Sequence, residues 1–179
     1  MTLDSKILAR KFAMSISHKI SESRELKNAL KKSPFDEHKL SVAFIMQHLE
    51  QFLEKEFGAN NRQEILFDFE GDKHRRKKQE RSYAVLGTSA FPDSALLKPF
   101  RCAFEFDRET FSGSSRFKSP LMKAAVHVLS GAYDACVLVF VMKSNVTPFN
   151  YLGDNSSYTN QLVEVLQEYG LFITFVTEG

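Results

Sequence analysis

A chain of 179 residues, of which 43% are hydrophobic and 26% are charged, has the composition of a soluble globular domain, alone or with a small appendage. The net charge of +2 is too small to indicate a nucleic-acid-binding protein by itself, so the placement of the charges matters more than their sum. No apolar segment has the length of a membrane span or the character of a signal peptide, and we expect an intracellular, cytoplasmic protein without a membrane partner. Cys102 and Cys136 lie in apolar runs and are interpreted as reduced core thiols.

Helical periodicity governs the first third of the chain. Apolar residues recur at helical spacing from Leu3 to Lys32, and Asp4 can cap the start of this helix. Pro34 disfavours a helical conformation at the residue before it and so ends the segment. A second helix is predicted from about Asp36 to Phe57, with Gly58 as its C-terminal cap.

An alternation of apolar and polar residues, typical of β-strands, follows the second helix. Strands are predicted at residues 64–70, 82–88 and 100–107, which together would form an antiparallel meander. Pro92 favours an irregular or edge segment at residues 90–97. The elements predicted after the meander are a helix from Ser119 to Ser130 with Pro120 at its first position, a doubly buried strand at 135–142, a helix at 156–169 and a last strand at 171–177.

The order of these elements predicts an α/β fold. An antiparallel meander that leads into β-α-β units gives a mixed central β-sheet flanked by helices. We expect residues 1–33 to form an N-terminal helical arm and residues 34–179 to form the α/β domain.

The segment FEFD contains the residues with the clearest chemical potential. On a strand, Glu105 and Asp107 lie on one face, while the phenylalanines beside them lie on the other. Two adjacent carboxylates repel each other unless water screens them or a cation lies between them. This face is therefore either open to water or holds a cation such as Mg²⁺, which uses carboxylates together with water and phosphate oxygens. The turn before the strand would allow Asp93 to join the pair.

Two other groups of polar residues receive a structural interpretation. Asp68, Glu70 and Asp72 alternate on the first predicted strand, next to a basic run, and are interpreted as a salt-bridged strand end. His127 is interpreted as a satisfied helix residue.

Cationic residues lie before and after the acidic strand. The run KHRRKKQER, residues 73–81, would form a hairpin tip and is either a solubilising loop, a surface for nucleic-acid phosphates or a localisation signal. Arg108 and Lys123 follow the acidic strand, as expected of a site that binds a polyanion. The candidate nucleic-acid-binding residues are Lys73, Arg75, Arg76, Lys77, Lys78, Arg116 and Lys118.

Pro92-Asp93, followed twelve residues later by the glutamate of EFD, then by a helix and a strongly apolar strand, resembles the PD-(D/E)XK nuclease superfamily. The pattern is similar in particular to restriction endonucleases of the BamHI and BglII type. The resemblance extends over roughly residues 36–177 and depends on a short motif. It implies a restriction-endonuclease-like fold, DNA as the partner, a homodimer, and endonuclease activity that depends on Mg²⁺ or Mn²⁺.

The resemblance also implies roles for individual residues. Asp93, Glu105 and Asp107 would be catalytic, and Asp93 and Glu105 would bind the metal. Asp107 stands where most members have lysine, whereas the BamHI-like branch is similar in having another acid there. Because members often place a glutamate of the preceding helix near the metal, Glu50 and Glu54 are further candidates.

Two other functions stay open from the sequence. The same fold is compatible with a non-catalytic module that binds nucleic acid or protein, in which the absent lysine marks lost chemistry. Alternatively, the basic run is only solvated and the chain is a structural partner in a complex, with the helix at Leu3–Lys32 as a docking or dimerisation element. DNA binding that depends on salt, without cleavage, would distinguish the first from the second.

Overall fold

The computed structural model describes residues 4–26, 37–60, 63–69, 82–83, 89–90, 92–108 and 115–177. Its helices are α1 (Ser5–Glu22), α2 (Glu37–Phe57), α3 (Ser115–Leu129), α4 (Phe149–Leu152) and α5 (Tyr158–Glu168). Its strands are β1 (Leu66–Phe69), β2 (Ser82–Tyr83), β3 (Ser89–Ala90), β4 (Ser94–Lys98), β5 (Cys102–Arg108), β6 (Ala135–Met142) and β7 (Leu171–Thr177).

The main sheet has five strands in the order β1-β4-β5-β6-β7. β4 pairs antiparallel with both β1 and β5, whereas β5, β6 and β7 are parallel to one another. Parallel neighbours need crossover connections, and α3 provides the connection between β5 and β6. The predicted mixed α/β fold with flanking helices is therefore confirmed.

The strand after Pro92 corrects the sequence prediction for residues 90–97. β4 is hydrogen-bonded to β1 on one side and to β5 on the other, so it is an interior strand and not an irregular or edge segment. Pro92 precedes the strand and removes no hydrogen bond from its ladder. Ser94, Ala95 and Leu96 are all buried, which explains why an alternating pattern is absent there.

Of the predicted strand at residues 82–88, the structure describes Ser82 and Tyr83, which form β2. Ser82 pairs with Ala90 and Tyr83 pairs with Ser89, so that β2 and β3 form a separate two-stranded sheet. The middle strand of the meander is therefore β4 and not the segment that the sequence predicted. The meander is preserved because β4 has the direction and the neighbours that were expected of that strand.

The helix after the acidic strand begins earlier than predicted. α3 starts at Ser115, and Pro120 is its sixth residue instead of its first. A proline so close to the start of a helix removes a single intrahelical hydrogen bond, which the buried apolar face of α3 compensates. The earlier start adds a further turn to the helix that faces β5.

Two hydrophobic cores lie on opposite faces of the sheet. α1 and α2 pack on one face, where Phe12, Leu49 and Phe104 are buried. α3 and α5 pack on the other face, around Leu121 and Phe140. Every residue of β6 is buried, as expected of a central strand that is covered on both sides. The two cysteines are buried free thiols, and burial raises the pKa of both above the ordinary value.

α1 belongs to the arm predicted for residues 1–33, and it packs directly on β6 and β7. Asp4 accepts a hydrogen bond from the Lys6 N–H and caps the helix, as predicted. The predicted boundary between residues 33 and 34 lies outside the described residues. Within the described ranges, no helix combines the length and the apolar character that crossing a membrane requires.

We predict that α1 contributes to the stability of the whole fold. The Phe12 ring is 1% exposed and lies 5.2 Å from the Phe52 ring and 5.6 Å from the Phe100 ring, measured between centroids. Phe12→Ala should therefore lower the free energy of unfolding by about 3–5 kcal/mol, measured by urea denaturation. Met14→Ala is the matched control on the same helix, since Met14 is 60% exposed, and should change it by about 0.5 kcal/mol or less. Equal effects of the two substitutions would contradict the packing.

Candidate functional site

Asp93 and Glu105 are brought together by two adjacent strands. Asp93 immediately precedes β4, and the first residue of β4, Ser94, pairs with Phe104 of β5. The next residue on β5, Glu105, therefore lies beside Asp93. Both side chains are buried, with 8% of Asp93 and 3% of Glu105 exposed. The sequence prediction that these two acids meet is consistent with this arrangement.

Lys123 of α3 contacts both carboxylates. Its Nζ lies 2.6 Å from Glu105 Oε2 and 3.2 Å from Asp93 Oδ1. The lysine side chain is 41% exposed, so it extends from the buried acids to the surface of the protein. An ammonium group that bridges two buried carboxylates offsets part of the free energy needed to remove their charges from water.

The second oxygen of each carboxylate is held by another part of the fold. Asp93 Oδ2 accepts a hydrogen bond of 2.8 Å from the backbone N–H of Phe106. Glu105 Oε1 lies 2.6 Å from Nε2 of His127, which is completely buried on α3. Lys123 and His127 are four residues apart, so they project from the same side of the helix. One helix face therefore contacts both oxygens of Glu105.

Asp93, Glu105, Lys123 and His127 together form a polar cluster, and burial shifts the pKa values of Glu105 and His127. Burial raises the pKa of the Glu105 carboxyl to about 9, and Asp93 adds to the rise while Lys123 opposes it. Burial lowers the pKa of the His127 imidazole to about 4, and the Lys123 charge acts in the same direction. The Glu105–His127 pair consequently retains one proton between about pH 4 and about pH 9.

The Lys123 ammonium group stays charged across this range. Burial by itself would lower the pKa of Lys123, but the carboxylates of Glu105 and Asp93 raise it above its ordinary value. If both acids are ionised and His127 is neutral, the cluster carries one uncompensated negative charge. A further cation or a proton therefore stabilises it.

The donor set of the cluster fits a hard divalent cation of the Mg²⁺ type. Asp93 Oδ1 and Glu105 Oε2 are oxygen ligands that converge on one point, and a cation at that point would compensate the negative charge that the cluster has once the Glu105–His127 pair loses its proton. Among the described residues, no group of three or more His, Cys, Asp or Glu side chains is arranged to hold a metal. The arrangement therefore suits an ion that has two carboxylate ligands from the protein and takes its other ligands from water and phosphate oxygens.

Asp107, the third predicted catalytic acid, lies at the exposed end of β5. It shares the sheet face of Glu105, and its Oδ1 accepts a hydrogen bond from the Arg108 N–H at 2.8 Å. Its catalytic role stays a prediction.

The two helix glutamates, Glu50 and Glu54, lie on α2, which packs on the sheet face opposite to α3. They line a cavity of about 610 Å³ together with Gly58 and Ile65. Their suggested proximity to the metal stays a prediction.

Asp68 lies on β1, and its interpretation as part of a salt-bridged strand end stays a prediction. It is 1% exposed and pairs with Ala95, which in turn pairs with Ala103 of β5. Paired residues of neighbouring strands lie on the same face, so Asp68 is buried on the face that carries Glu105. Glu70 and Asp72 lie outside the described residues.

Most of the predicted nucleic-acid-binding residues are not described. The run at residues 73–81, which contains Lys73, Arg75, Arg76, Lys77 and Lys78, lies outside the described ranges. The backbone of Arg116 is part of α3, and its side chain lies outside the described part of the structure. Lys118 is exposed on α3, the helix that carries Lys123.

Lys123 and His127 are the site residues for which the sequence did not suggest specific contacts. In the sequence, Lys123 is one of several cations after the acidic strand, and His127 has the interpretation of a satisfied helix residue. His127 is satisfied, but its partner is Glu105, 22 residues away in sequence. The available signal was the four-residue spacing of a lysine and a histidine on the helix that crosses over the acidic strand.

We predict that the protonated Glu105 makes stability depend on pH. The folded state holds a proton that the unfolded Glu105 loses above its ordinary pKa of 4.5, so the free energy of unfolding falls as the pH rises. Between pH 6.5 and 9, the expected loss is about 3 kcal/mol, measured by urea denaturation.

Glu105→Gln should abolish this loss, because the amide does not titrate. Glu164→Gln, an exposed glutamate on α5, is the matched control and should leave the pH dependence unchanged. The assignment is contradicted if the wild type and Glu105→Gln lose stability equally over this range.

Searches of protein-family models, of curated proteins and of solved structures found no match to this chain. The function proposed below therefore depends on the geometry of the Asp93–Glu105–Lys123–His127 cluster and on the sequence resemblance.

Proposed function

We propose that this chain is a metal-dependent endonuclease that hydrolyses the phosphodiester backbone of DNA. The observation that carries this proposal is the convergence of two buried carboxylates, from adjacent strands, on one lysine ammonium. An acid before one strand, an acid within the next and a lysine beside both are the residue types to which the sequence resemblance attaches this activity. The mixed sheet and its flanking helices are consistent with the restriction-endonuclease-like fold that the resemblance implies.

Asp93 and Glu105 are the residues that would hold the metal, Mg²⁺ or Mn²⁺. When bound, such an ion activates a water molecule and neutralises charge on the phosphate. The chain itself contributes the placement of the two carboxylates. Phe106 fixes Asp93 through its backbone N–H, and α3 fixes Glu105, so that neither acid needs to reorganise when a substrate arrives.

Most members of the superfamily have a lysine at the position of Asp107, and in this chain Lys123 would supply that cation. It comes from α3 instead of β5, yet its Nζ reaches both acids. Its partial exposure leaves the ammonium accessible to a phosphate group from the solvent side. An ion held by Asp93 and Glu105 would take the point between them that the ammonium occupies, and the displaced Lys123 would then hold a phosphate oxygen and stabilise the negative charge that develops during hydrolysis.

DNA is the proposed substrate because of the cations near the site. Lys118 is exposed on the helix that carries Lys123, and the basic run at residues 73–81 would add phosphate contacts. A homodimer is proposed from the resemblance to restriction endonucleases alone.

A second function, a non-catalytic binding module on the same fold, is supported by a different feature of the cluster. In this structure the cation between the two carboxylates is the ammonium group of the protein itself. The Lys123 side chain would then stabilise the fold, and the basic residues would bind nucleic acid without cleavage. Cleavage and binding assays separate the two functions.

We predict nicking of supercoiled plasmid DNA in the presence of Mg²⁺ or Mn²⁺. Asp93→Asn, Glu105→Gln and Lys123→Met should each lower the rate by about 100-fold or more, because each removes one preorganised group. Two controls, Glu164→Gln and Lys98→Met, change exposed residues and should retain the rate within about twofold; Lys98 is paired with Glu64. If the folded wild type cleaves no supercoiled, linear or single-stranded DNA with either ion, the endonuclease proposal is wrong.

We also predict that the protein binds DNA in the presence of EDTA, with an affinity that falls steeply with salt concentration. Lys118→Gln should reduce the slope of log K against log salt concentration by about one, because one phosphate contact is lost. Lys98→Gln should leave the slope unchanged. Binding without cleavage, unaltered in Glu105→Gln, would favour the binding module, and no binding at low salt would favour the role of a structural partner.

A further inference from the structure

Each acid of the cluster presents only one oxygen to the position that Lys123 occupies. For Asp93 this is Oδ1, because Oδ2 is held by the backbone N–H of Phe106. For Glu105 it is Oε2, because Oε1 is held by His127. The backbone contact is available to any residue at position 106 except proline, whereas the contact to Glu105 depends on the imidazole.

His127 is held rigidly in its position. The side chain is completely buried on α3, and its ring lies edge-on against Tyr133, with 5.7 Å between the centroids and 83° between the planes. A ring that is enclosed in this way cannot move aside without disturbing the core around it. The distance of 2.6 Å from Nε2 to Glu105 Oε1 is therefore a constraint on the carboxylate and not a chance contact.

We propose that His127 is a positioning residue that restricts Glu105 to binding a metal through one oxygen, and that it thereby disfavours Ca²⁺ relative to Mg²⁺ at this site. The inference depends on the proposed function, since it concerns the same metal. Nε2–H donates to Oε1 when Glu105 is ionised, which leaves Oε2 as the oxygen available to a cation.

The selectivity follows from the coordination habits of the two ions. Ca²⁺ takes six to eight oxygen ligands and often binds a carboxylate through both oxygens. Mg²⁺ is smaller, retains several water molecules and needs only one or two carboxylates. A site in which both acids are limited to one oxygen lacks ligands for Ca²⁺ and satisfies Mg²⁺.

A purely structural histidine makes a different prediction. If His127 only filled the core and satisfied a polar atom, its replacement would change stability and would weaken all ions alike. If it positions Glu105, replacement frees Oε1 and changes the relative affinity for the two ions. The ratio of affinities therefore separates the two roles, and no catalytic assay is needed.

The experiment measures the dissociation constants of Mg²⁺, Mn²⁺ and Ca²⁺ by calorimetry, without DNA, for the wild type and for variants at position 127. His127→Leu removes the polar group, and His127→Asn keeps a polar side chain whose amide is too short to reach Oε1. His127→Gln keeps an N–H at the distance of the imidazole Nε2. His48→Gln is the matched control, because His48 lies on α2 and contacts the Phe44 carbonyl oxygen.

For His127→Leu and His127→Asn, we expect the ratio of the Ca²⁺ Kd to the Mg²⁺ Kd to fall by about tenfold or more. Ca²⁺ would then bind more tightly relative to Mg²⁺ than it does in the wild type. His127→Gln and His48→Gln should keep the ratio of the wild type within about threefold. Should His127→Leu fail to fold, His127→Asn carries the same test.

Two results would overturn the inference by different routes. A folded Leu or Asn variant with the ratio of the wild type shows that His127 does not position Glu105, and the proposed function would stand. A wild type that binds none of the three ions, or that binds them no more tightly than Glu105→Gln, would overturn the proposed function together with this inference.

Discussion

The burial of the Glu105 carboxyl group is the constraint on which the candidate site depends. A carboxylate with 3% of its surface exposed is unfavourable unless charged or hydrogen-bonding groups surround it. Two neighbours meet this need: Lys123 and His127 contact its two oxygens, and the pair with His127 retains a proton at neutral pH. These neighbours come from α3, so the helix and the strand stabilise each other through buried polar contacts.

β5 connects this polar cluster to the rest of the fold. Its alternation places Phe104 in the core under α1 and α2, and Glu105 toward α3. A shift of one residue in the register of β5 would bring a phenylalanine to Lys123 and a carboxylate into the core around Phe12. The packing of the phenylalanines therefore fixes the register, and the register fixes the acid at the site.

Lys123 contacts the two acids although it lies far from them in the sequence. The motif that resembles the nuclease superfamily would have a lysine two residues after Glu105, where this chain has Asp107. In three dimensions, the ammonium of Lys123 reaches the same carboxylates from the next element of the chain. Under the proposed function, Lys123 would supply from the crossover helix the cation that the motif places on the strand.

The sequence by itself determined the fold class, most of the elements and the pair of acids, because these depend on local periodicity and on the two-residue repeat of a strand. The apolar run of β6, the cap at Asp4 and the extent of β7 were visible without any tertiary information. The sequence did not identify β4 as an interior strand, because its burial on both sides removes the alternation that marks a half-exposed strand.

Only the tertiary structure decided which polar groups meet. The contacts of Glu105 with Lys123 and His127 join residues 18 and 22 positions apart, and they depend on where α3 lies over the sheet. The same holds for Asp68, whose burial on the face of Glu105 is set by strand pairing and not by its neighbours in sequence. Local patterns give each residue a face of its own element, whereas the partners on that face are chosen by packing between elements distant in the chain.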